Sequence, residues 1–283
     1  WFGNFLPEHK NLRVLRKDVR NTENIPLDGV DAVIHLSSVA NDPCGDLNPK
    51  LTWEISCLAT MRLADKAYRT GIKHFIYASS GSVYGLKDED QVTEDLELFP
   101  LSEYNKTKMV AERVLLSYKK NMTMQIVRPA TVCGLSPRMR LDVSVNLLTM
   151  QALEKGVITV LGGDQTRPNI HIDDITDLYL FFLENKSING IYNAGFENLR
   201  IIDIAKMISE KTGAKIKIEK SQDPRSYRVN SDKLLSLGFT PKKSVANAIS
   251  EIIQAVESKK LKAEKRHYNL RWMIDEVLKG SCN

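Results

Sequence analysis

Cysteine is scarce in this 283-residue chain, and its four copies stand far apart, at Cys44, Cys57, Cys133 and Cys282. No two of them have the C-x-x-C spacing, which argues against a zinc site and a disulfide framework and is typical of the reducing cytoplasm. Long apolar runs are also absent. The longest, Leu178 to Leu183, has six residues, whereas a membrane-spanning helix needs roughly twenty. We therefore expect a cytoplasmic protein with no metal site and no membrane partner.

The sequence has no long segment in which residues of one charge predominate. The formal net charge is +5 at pH 7, but lysine and arginine are mixed with aspartate and glutamate along the whole length. Only residues 259–266 form a locally basic stretch. A short run of this kind is more often the solvated face of a helix than a nucleic-acid patch, so we expect no nucleic-acid partner.

The chain does contain a regular alternation of two patterns. Short apolar runs rich in β-branched residues indicate strands, and longer segments of helical period follow them. In the first half, strands are expected at 12–15, 31–36, 74–78 and 125–129, and helices at 53–70 and 102–119. This alternation predicts an α/β fold with a doubly wound parallel, Rossmann-like sheet.

The pattern changes after Gly134. Helices are expected at 143–153, 174–183, 199–211 and 245–256, and strands at 157–161, 169–172 and 215–218. No low-complexity linker separates the two parts, so we expect them to be interleaved. The prediction is a doubly wound α/β domain of residues 1–140 and 170–195, with a smaller α/β lobe of residues 141–169 and 196–283.

Two residues on one predicted helix, Tyr104 and Lys108, could carry chemistry. Four residues apart, they project from the same helical face about one turn from each other. An ammonium close to a phenol favours the phenolate, which lowers the phenol pKa and creates a general base at neutral pH. Ser80 and Ser82 follow the strand 74–78, and ligands of a doubly wound sheet bind at the carboxyl ends of its strands. Taken alone, the Tyr-x-x-x-Lys spacing is unspecific, and the serines could simply form a polar turn.

The string Tyr77-Ala78-Ser79-Ser80-Gly81-Ser82-Val83-Tyr84-Gly85, followed by Tyr104-x-x-x-Lys108, makes the pattern specific. It resembles the signature of extended short-chain dehydrogenases/reductases, the NAD-dependent nucleotide-sugar epimerase/dehydratase family. Further stretches fit in the same order: Asp18-Val19-Arg20, Val33 to Leu36, Arg128-Pro129, Arg167 to Asp174, Tyr192 to Gly195 and Asp223 to Tyr227. The resemblance covers nearly the whole chain and implies an enzyme that uses NAD on a nucleotide-diphosphate sugar.

The resemblance also implies roles for individual residues. Tyr104 corresponds to the catalytic base and Ser80 to the catalytic hydroxyl, with Ser82 as a second candidate. The cofactor is expected to contact Asp18, Val19, Leu36, Ser37, Ser38, Lys108 and Pro129. The sugar nucleotide is expected to contact Thr131, Asn146, Arg167 and Arg225. The two arginines are assigned to the diphosphate, because a guanidinium fork suits that group. For Arg225, ordinary surface charge is an equally good interpretation.

The residues after Ser80 distinguish the reactions of this family. Relatives that perform 4,6-dehydration carry an Asp-Glu pair there, 3,5-epimerising relatives use a cysteine near position 82, and UDP-glucuronate decarboxylases usually show a glutamate. This chain has Gly81 and Ser82. The resemblance therefore favours an NDP-sugar epimerase that acts at C4 by transient oxidation with tightly bound NAD. A sugar-nucleotide C4 dehydrogenase or reductase is the alternative, and a non-catalytic binding protein of the same fold is a third hypothesis.

The glycine-rich loop of the family is not found, because no G-x-x-G-x-x-G occurs in the sequence. Trp1-Phe2-Gly3 resembles the segment after the second strand in relatives, so a unit of roughly 30 residues is expected to precede it. Those glycines let the backbone approach the cofactor pyrophosphate. We therefore expect the 283-residue chain by itself to bind dinucleotide poorly. The residue that selects NAD over NADP would lie in the same unit, which leaves NADP open.

Other residues are expected to serve the structure. His171 should make one buried hydrogen bond, and Cys133 should be a small core residue. The family commonly dimerises through a four-helix contact. The predicted helices 53–70 and 102–119 are the candidates for such a homodimer contact in this chain.

Overall fold

The computed structural model describes residues 8–220 and 226–278, except the side chains of 276–278. Its centre is a four-stranded sheet. The strands are β1 (Ala32–His35), β2 (His74–Ala78), β3 (Thr123–Pro129) and β7 (Gly190–Ala194), in the order β1-β2-β3-β7. All three pairings are parallel, with Val33 opposite Phe75, Phe75 opposite Met124, and Val127 opposite Tyr192.

The remaining strands form two smaller sheets. β4 (Thr131–Cys133) pairs parallel with β6 (Thr166–His171), β6 pairs antiparallel with β8 (Glu197–Arg200), and β5 (Val157–Leu161) pairs parallel with β9 (Lys215–Glu219).

Ten α-helices are present in the described part of the chain. They are α1 (Asp42–Leu47), α2 (Pro49–Trp53), α3 (Ala59–Arg69), α4 (Glu103–Ser117), α5 (Ser144–Lys155), α6 (Ile172–Glu184), α7 (Ile201–Thr212), α8 (Asp232–Leu235), α9 (Val245–Glu257) and α10 (Asn269–Trp272). A π-helical segment, Glu54–Leu58, joins α2 to α3, so the helix expected from residue 53 begins earlier, after the N-cap Asn48. None of the described helices combines the length and the apolar composition needed to cross a membrane.

Apolar side chains cover both faces of the central sheet. Successive strand residues point to opposite faces. On β2, Phe75 packs in one buried cluster with Leu115 of α4, whereas Ile76 packs in another with Leu178 and Phe182 of α6. Helices therefore lie on both sides of a parallel sheet, and the predicted doubly wound, Rossmann-like fold is confirmed.

A separate core lies among α5, α7, α9 and β5. Val145, Ile158, Ile204 and Ile249 are completely buried in it. Cys133 belongs to the same cluster and is 1% exposed, so the prediction of a small core residue is confirmed.

The strand expected at 12–15 is not formed. Leu12, Val14 and Leu15 are 43%, 50% and 43% exposed, and no described strand pairs with them. A strand needs a neighbour for its backbone N–H and C=O groups. In the described residues, β1 is paired only on its β2 side. A turn follows this segment, in which the Asn21 N–H donates to the Asp18 carbonyl over 3.0 Å.

An ion pair is buried between α4 and β3. Arg128 donates to Glu112 through Nε over 3.0 Å and through a terminal nitrogen over 2.7 Å, and the two side chains are 3% and 1% exposed. The Ser79 hydroxyl donates to the same carboxylate. Arg128 also donates to the Tyr84 hydroxyl over 2.7 Å, which in turn donates to Asn193 over 2.7 Å. This network joins α4, β2, β3 and β7 near the carboxyl ends of the strands.

We predict that Glu112→Gln destabilises the protein by about 3 kcal/mol, because it leaves the buried Arg128 charge without its counter-ion. Asp177→Asn is the matched control, since Asp177 pairs with Lys242 at the surface. Breaking that exposed pair should change the free energy of unfolding by less than about 1 kcal/mol. Urea denaturation of the two variants tests this, and equal small losses would contradict it.

Candidate active site

The carboxyl ends of β2 and β3 open onto a cleft of about 520 Å³. Six residues predicted from the sequence line it together: Ser80, Ser82, Tyr104, Pro129, Thr131 and Arg167. They come from the turn after β2, from α4, from the β3–β4 connection and from β6. The structure therefore brings predicted catalytic and substrate residues from distant parts of the sequence to one place.

Helix α4 is fixed at its start and in its middle. Ser102 is the N-cap, and its hydroxyl accepts a hydrogen bond from the Asn105 N–H over 3.2 Å, which satisfies one of the free donors of the first turn. Farther along, the Lys108 ammonium donates to the Ala78 carbonyl over 2.7 Å. This second contact ties α4 to the end of β2 and sets where Tyr104 stands.

Helix α1 packs tightly against the first turn of α4. The Ser102 hydroxyl donates to Asp42 over 2.9 Å. Gly45 lies against Tyr104, and a Cβ at position 45 would be 2.8 Å from both the Cβ and the backbone N of Tyr104. Any side chain larger than hydrogen at position 45 would therefore displace one of the two helices.

The electrostatic surroundings of Tyr104 differ from the expectation. Burial raises the pKa of the Tyr104 phenol above its ordinary value, and the hydrogen bond with Ser80 and the charge of Arg140 oppose this rise without cancelling it. Burial also lowers the pKa of Lys108 to about 7, against the opposing charge of Glu112. The expected lowering of the phenol pKa by Lys108 is therefore wrong for the chain as it stands. The physical reason is that both groups are desolvated, while the ammonium is 5.8 Å from the centre of the Tyr104 ring and is directed at a backbone carbonyl.

A chain of hydrogen bonds starts at Tyr104. The Ser80 hydroxyl is close enough to the phenol to lower its pKa, and the hydroxyl oxygens of Ser80 and Ser82 are 2.6 Å apart. The Ser82 hydroxyl then donates to Oδ1 of Asn105 over 2.5 Å. The two serines, both candidates for the catalytic hydroxyl, thus occupy different positions: Ser80 contacts the phenol, and Ser82 lies one step behind it.

Charged residues without a role assigned from the sequence also line the cleft. They are Asp42, Arg140 and Asp142, and the Arg140 Nε donates to Asp142 over 2.9 Å. The neighbouring Asn41 has a φ of 80°, which non-glycine residues rarely adopt, and its side chain caps α1 by accepting from the Cys44 N–H over 3.0 Å. The Asn-Asp-Pro string at 41–43, in the segment that follows the predicted strand 31–36, is the sequence signal for this helix start at the cleft.

Asn146 does not lie where the substrate prediction requires. It is 2% exposed, and its amide accepts from the Gly134 N–H over 3.0 Å and donates to the Arg140 carbonyl over 2.8 Å. It is not among the residues that line the cleft. Because α5 starts at Ser144, position 146 faces inward and holds the β4–α5 connection from behind. Arg225, the other predicted substrate residue, lies outside the described residues.

The predicted cofactor residues gather near the carboxyl end of β1. Val19, Leu36 and Ser37 line a groove of about 250 Å³. Ser37 and Ser38 also line a second groove, of about 480 Å³. Ala40 lines both this second groove and the reactive cleft, so the two are adjacent.

Polar contacts hold two of these residues. The Asp18 carboxylate pairs with Arg20, with a shortest N–O distance of 2.6 Å, and hydrogen bonds from Arg20 keep the pKa of Asp18 below its ordinary value. The Ser38 hydroxyl oxygen is 3.0 Å from that of Ser56. Ser56 also accepts from the Val39 N–H over 3.0 Å, which fixes the backbone after β1.

Outside the cleft, three described residues have side chains of the kind that bind metal ions and lie close together: His171, Asp173 and Glu251. Nε2 of His171 is 3.0 Å from a Glu251 oxygen, and Nδ1 accepts from the Asp173 N–H over 3.1 Å. Lys243 donates to the other Glu251 oxygen over 2.8 Å. Because these atoms already have partners, the group anchors α6 to α9. The buried hydrogen bond expected of His171 is confirmed.

Comparison with known proteins agrees with this geometry. The model of the NAD-dependent epimerase/dehydratase family matches residues 7–195, well over half of the chain. An uncharacterised protein, y4nG of Sinorhizobium fredii, is 29% identical over 218 residues, 74% of this chain and 53% of that protein. The uncharacterised UDP-glucose epimerase YtcB of Bacillus subtilis is 29% identical over 221 residues, 75% of this chain and 68% of that protein. The chain thus spans about half the length of the first relative and about two thirds of the second.

Among solved structures, the UDP-glucuronic acid 4-epimerase of Bacillus cereus, in complex with UDP-glucuronic acid and NAD, is similar. The TM-score is 0.74 with 28% identity, over 86% of this chain and 79% of that one.

We predict that Lys108 makes stability depend on pH. The folded chain releases the Lys108 proton near pH 7, whereas an unfolded lysine keeps its proton up to about pH 10. The unfolded state therefore binds more protons between these values, and this contribution to stability increases with pH, by up to about 1.4 kcal/mol per pH unit.

Lys108→Met removes this dependence. We expect the difference in unfolding free energy between the native protein and Lys108→Met to change steadily from about pH 7 to about pH 9 in urea denaturation. Lys119→Met, at an exposed position beyond the end of α4, is the control and should follow the native curve. Parallel curves for all three proteins would show that Lys108 is not desolvated in this way.

Proposed function

Because this chain belongs to the NAD-dependent epimerase/dehydratase family, we propose that it epimerises a nucleotide-diphosphate sugar at C4 by transient oxidation with tightly bound NAD. The names of similar proteins support the substrate class. One is a UDP-glucose epimerase by name, and another was solved with UDP-glucuronic acid and NAD.

The observation that carries the proposal is the meeting of Tyr104, Ser80 and Lys108 at the carboxyl end of β2. Tyr104 and Ser80 both line the cleft, and the Ser80 hydroxyl is close enough to the phenol to lower its pKa. Such a pair can accept the proton of a sugar hydroxyl and later return it. Lys108 holds α4, and with it Tyr104, against the end of β2 through its hydrogen bond to the Ala78 carbonyl.

A bound NAD would supply the acceptor and donor for the hydride of the sugar C4. The residues present fit such a cofactor. Val19 and Leu36 offer apolar walls in one groove, and Arg20 supplies a positive charge in the groove that adjoins the cleft. We propose that the cofactor is held by Asp18, Val19, Leu36, Ser37, Ser38, Lys108 and Pro129.

The substrate would lie across the cleft from these residues. Thr131 and Arg167 line the cleft, and the Arg167 guanidinium suits the diphosphate. Arg167 belongs to the lobe of residues 141–169 and 196–283, which we propose carries the sugar nucleotide. We propose a homodimer through the surfaces of α3 and α4, because Leu58 and Tyr68 are 39% and 41% exposed beside that helix pair.

The carboxylates of the cleft support epimerisation over dehydration. Dehydration needs groups that remove the C5 proton and help the 6-hydroxyl leave. Asp42 accepts from the Ser102 hydroxyl over 2.9 Å, and Asp142 accepts from Arg140 over 2.9 Å. Both acids therefore hold the walls of the cleft, and Gly81 and Ser82 stand where dehydrating relatives have an Asp-Glu pair, which supports epimerisation.

A direct assay separates the proposed epimerase from a C4 dehydrogenase or reductase. The complete gene product is incubated with a UDP-hexose and NAD, and both NADH absorbance and the sugar products are followed. We expect the C4 epimer to form with no net NADH. Net NADH formation matched to a ketosugar product would identify a dehydrogenase, and the absence of both products across UDP-, dTDP- and GDP-sugars would reject the proposal.

We predict that Tyr104→Phe lowers turnover roughly 10²–10⁴-fold and leaves cofactor binding unchanged, because only the proton-transfer group is lost. Tyr118→Phe, at the end of the same helix, is the matched control and should turn over normally. Steady-state kinetics together with fluorescence titration of NAD test both statements. Near-normal turnover of Tyr104→Phe would mean that another group moves the proton.

A further inference from the structure

The hydrogen-bond chain behind Tyr104 ends on a residue that has no role in the proposed reaction. Asn105 follows Tyr104 directly, yet its side chain is 2% exposed and points into the protein. Its Oδ1 accepts from the Ser82 hydroxyl over 2.5 Å. This contact links two segments that are 23 residues apart in sequence, so it is not a local turn contact.

Each link of this chain is a hydroxyl with one proton. When Asn105 offers its oxygen, Ser82 must donate to it, and the Ser82 oxygen is then free to accept from Ser80 over 2.6 Å. The Ser80 proton is therefore directed away from Tyr104, and Ser80 can only accept from the phenol. In this direction the chain stabilises the neutral phenol.

The reverse direction stabilises the other protonation state. A phenolate needs a donor, so Ser80 must turn its proton toward Tyr104, and Ser82 must turn its proton toward Ser80. Ser82 then needs a donor behind it. An amide has an NH₂ at one end and an oxygen at the other, so rotation of the Asn105 side chain about its last bond can provide either.

We infer that Asn105 is a positioning residue, whose amide allows the Ser82–Ser80 chain to run in both directions and so to stabilise Tyr104 both before and after it takes a proton. The inference rests on the proposed function, which assigns the proton transfer to Tyr104. In that transfer one proton moves from the sugar hydroxyl to the phenolate oxygen. The hydroxyls of Ser80 and Ser82 keep their own protons and only rotate.

Other charged or titratable groups also face Tyr104 and would act on its titration. They are Lys108 on α4, Asp42 on α1, Arg140 before α5, Tyr77 on β2 and Tyr179 on α6. The contacts that join Ser80, Ser82 and Asn105 in the described structure run through none of these groups. An effect of Asn105 on the Tyr104 titration can therefore be distinguished from the effects of these groups, because only the effect of Asn105 passes through Ser82.

The test uses Asn105→Asp and Asn105→Leu. A carboxylate only accepts, so Asp holds both serine protons away from Tyr104 and removes the donor that a phenolate needs. We expect Asn105→Asp to raise the pKa of Tyr104 by roughly one pH unit. Leucine has the same branched side-chain shape but can neither donate nor accept, so it fixes neither direction, and Asn105→Leu should cause a clearly smaller change. If both variants shift the titration equally, packing rather than direction is responsible and the inference is wrong.

A double-mutant cycle distinguishes direct repulsion between the new charge and the phenolate from an effect that passes through the serines. In a Ser82→Ala background the relay is cut, and Asn105→Asp should then shift Tyr104 by less than half as much. An equal shift in both backgrounds would mean that the charge acts directly, and it would overturn the inference.

The readout does not depend on catalysis. Fluorotyrosine is incorporated into the protein, since fluorination lowers the phenol pKa, and the Tyr104 resonance is assigned by its loss in Tyr104→Phe. Fluorine NMR then gives the titration in the resting protein. If the titrations behave as expected but no epimer forms in the assay, the positioning role holds and the proposed function fails. If the epimer forms and the titrations do not move, only the positioning role fails.

Discussion

One hydrogen bond, from the Lys108 ammonium to the Ala78 carbonyl, fixes the geometry on which the cleft depends. It joins the middle of α4 to the last residue of β2, and Ser80 follows two residues later. A lysine that is 2% exposed would be costly without such a partner. Its removal would leave the ammonium unsatisfied and remove the contact that holds this part of α4 at the end of β2. Tyr104 thus stands opposite Ser80 because the buried Lys108 ammonium takes the Ala78 carbonyl as its hydrogen-bond partner.

The Glu112–Arg128 pair supports the same region from behind. Glu112 is four residues beyond Lys108 on α4 and contributes the negative charge that partly offsets the desolvation of the ammonium. Arg128 extends the network through Tyr84 to Asn193 on β7. The carboxyl ends of three neighbouring strands are therefore connected by polar contacts in addition to apolar packing. Networks of this kind are sensitive to the loss of any one member.

The sequence predicted the parallel sheet, because the alternation of strands and helices follows from local patterns. It predicted the grouping of Ser80, Tyr104 and Thr131 through the family resemblance. It failed where the outcome depends on partners distant in sequence. Residues 12–15 have strand propensity, but no described strand lies beside them. Asn146 has the right residue type, but the start of α5 turns it inward. The Tyr104 pKa could not be foreseen either, because desolvation depends on what covers the phenol. No sequence pattern predicts the hydrogen bond between Asn105 and Ser82, which are 23 residues apart.

The contact between Gly45 and Tyr104 has a consequence for how relatives of this chain can diverge. The two residues are 59 positions apart, and the space between them leaves no room for a methyl group. The size of the residue at position 45 therefore limits where α4 can place the phenol. A homologue with alanine or serine there must have moved α1 or α4, and with it the distance from the phenol to any bound sugar, even if its Tyr-x-x-x-Lys string is intact. Enzyme engineers could use this position to adjust the reach of the tyrosine without altering any residue that lines the cleft.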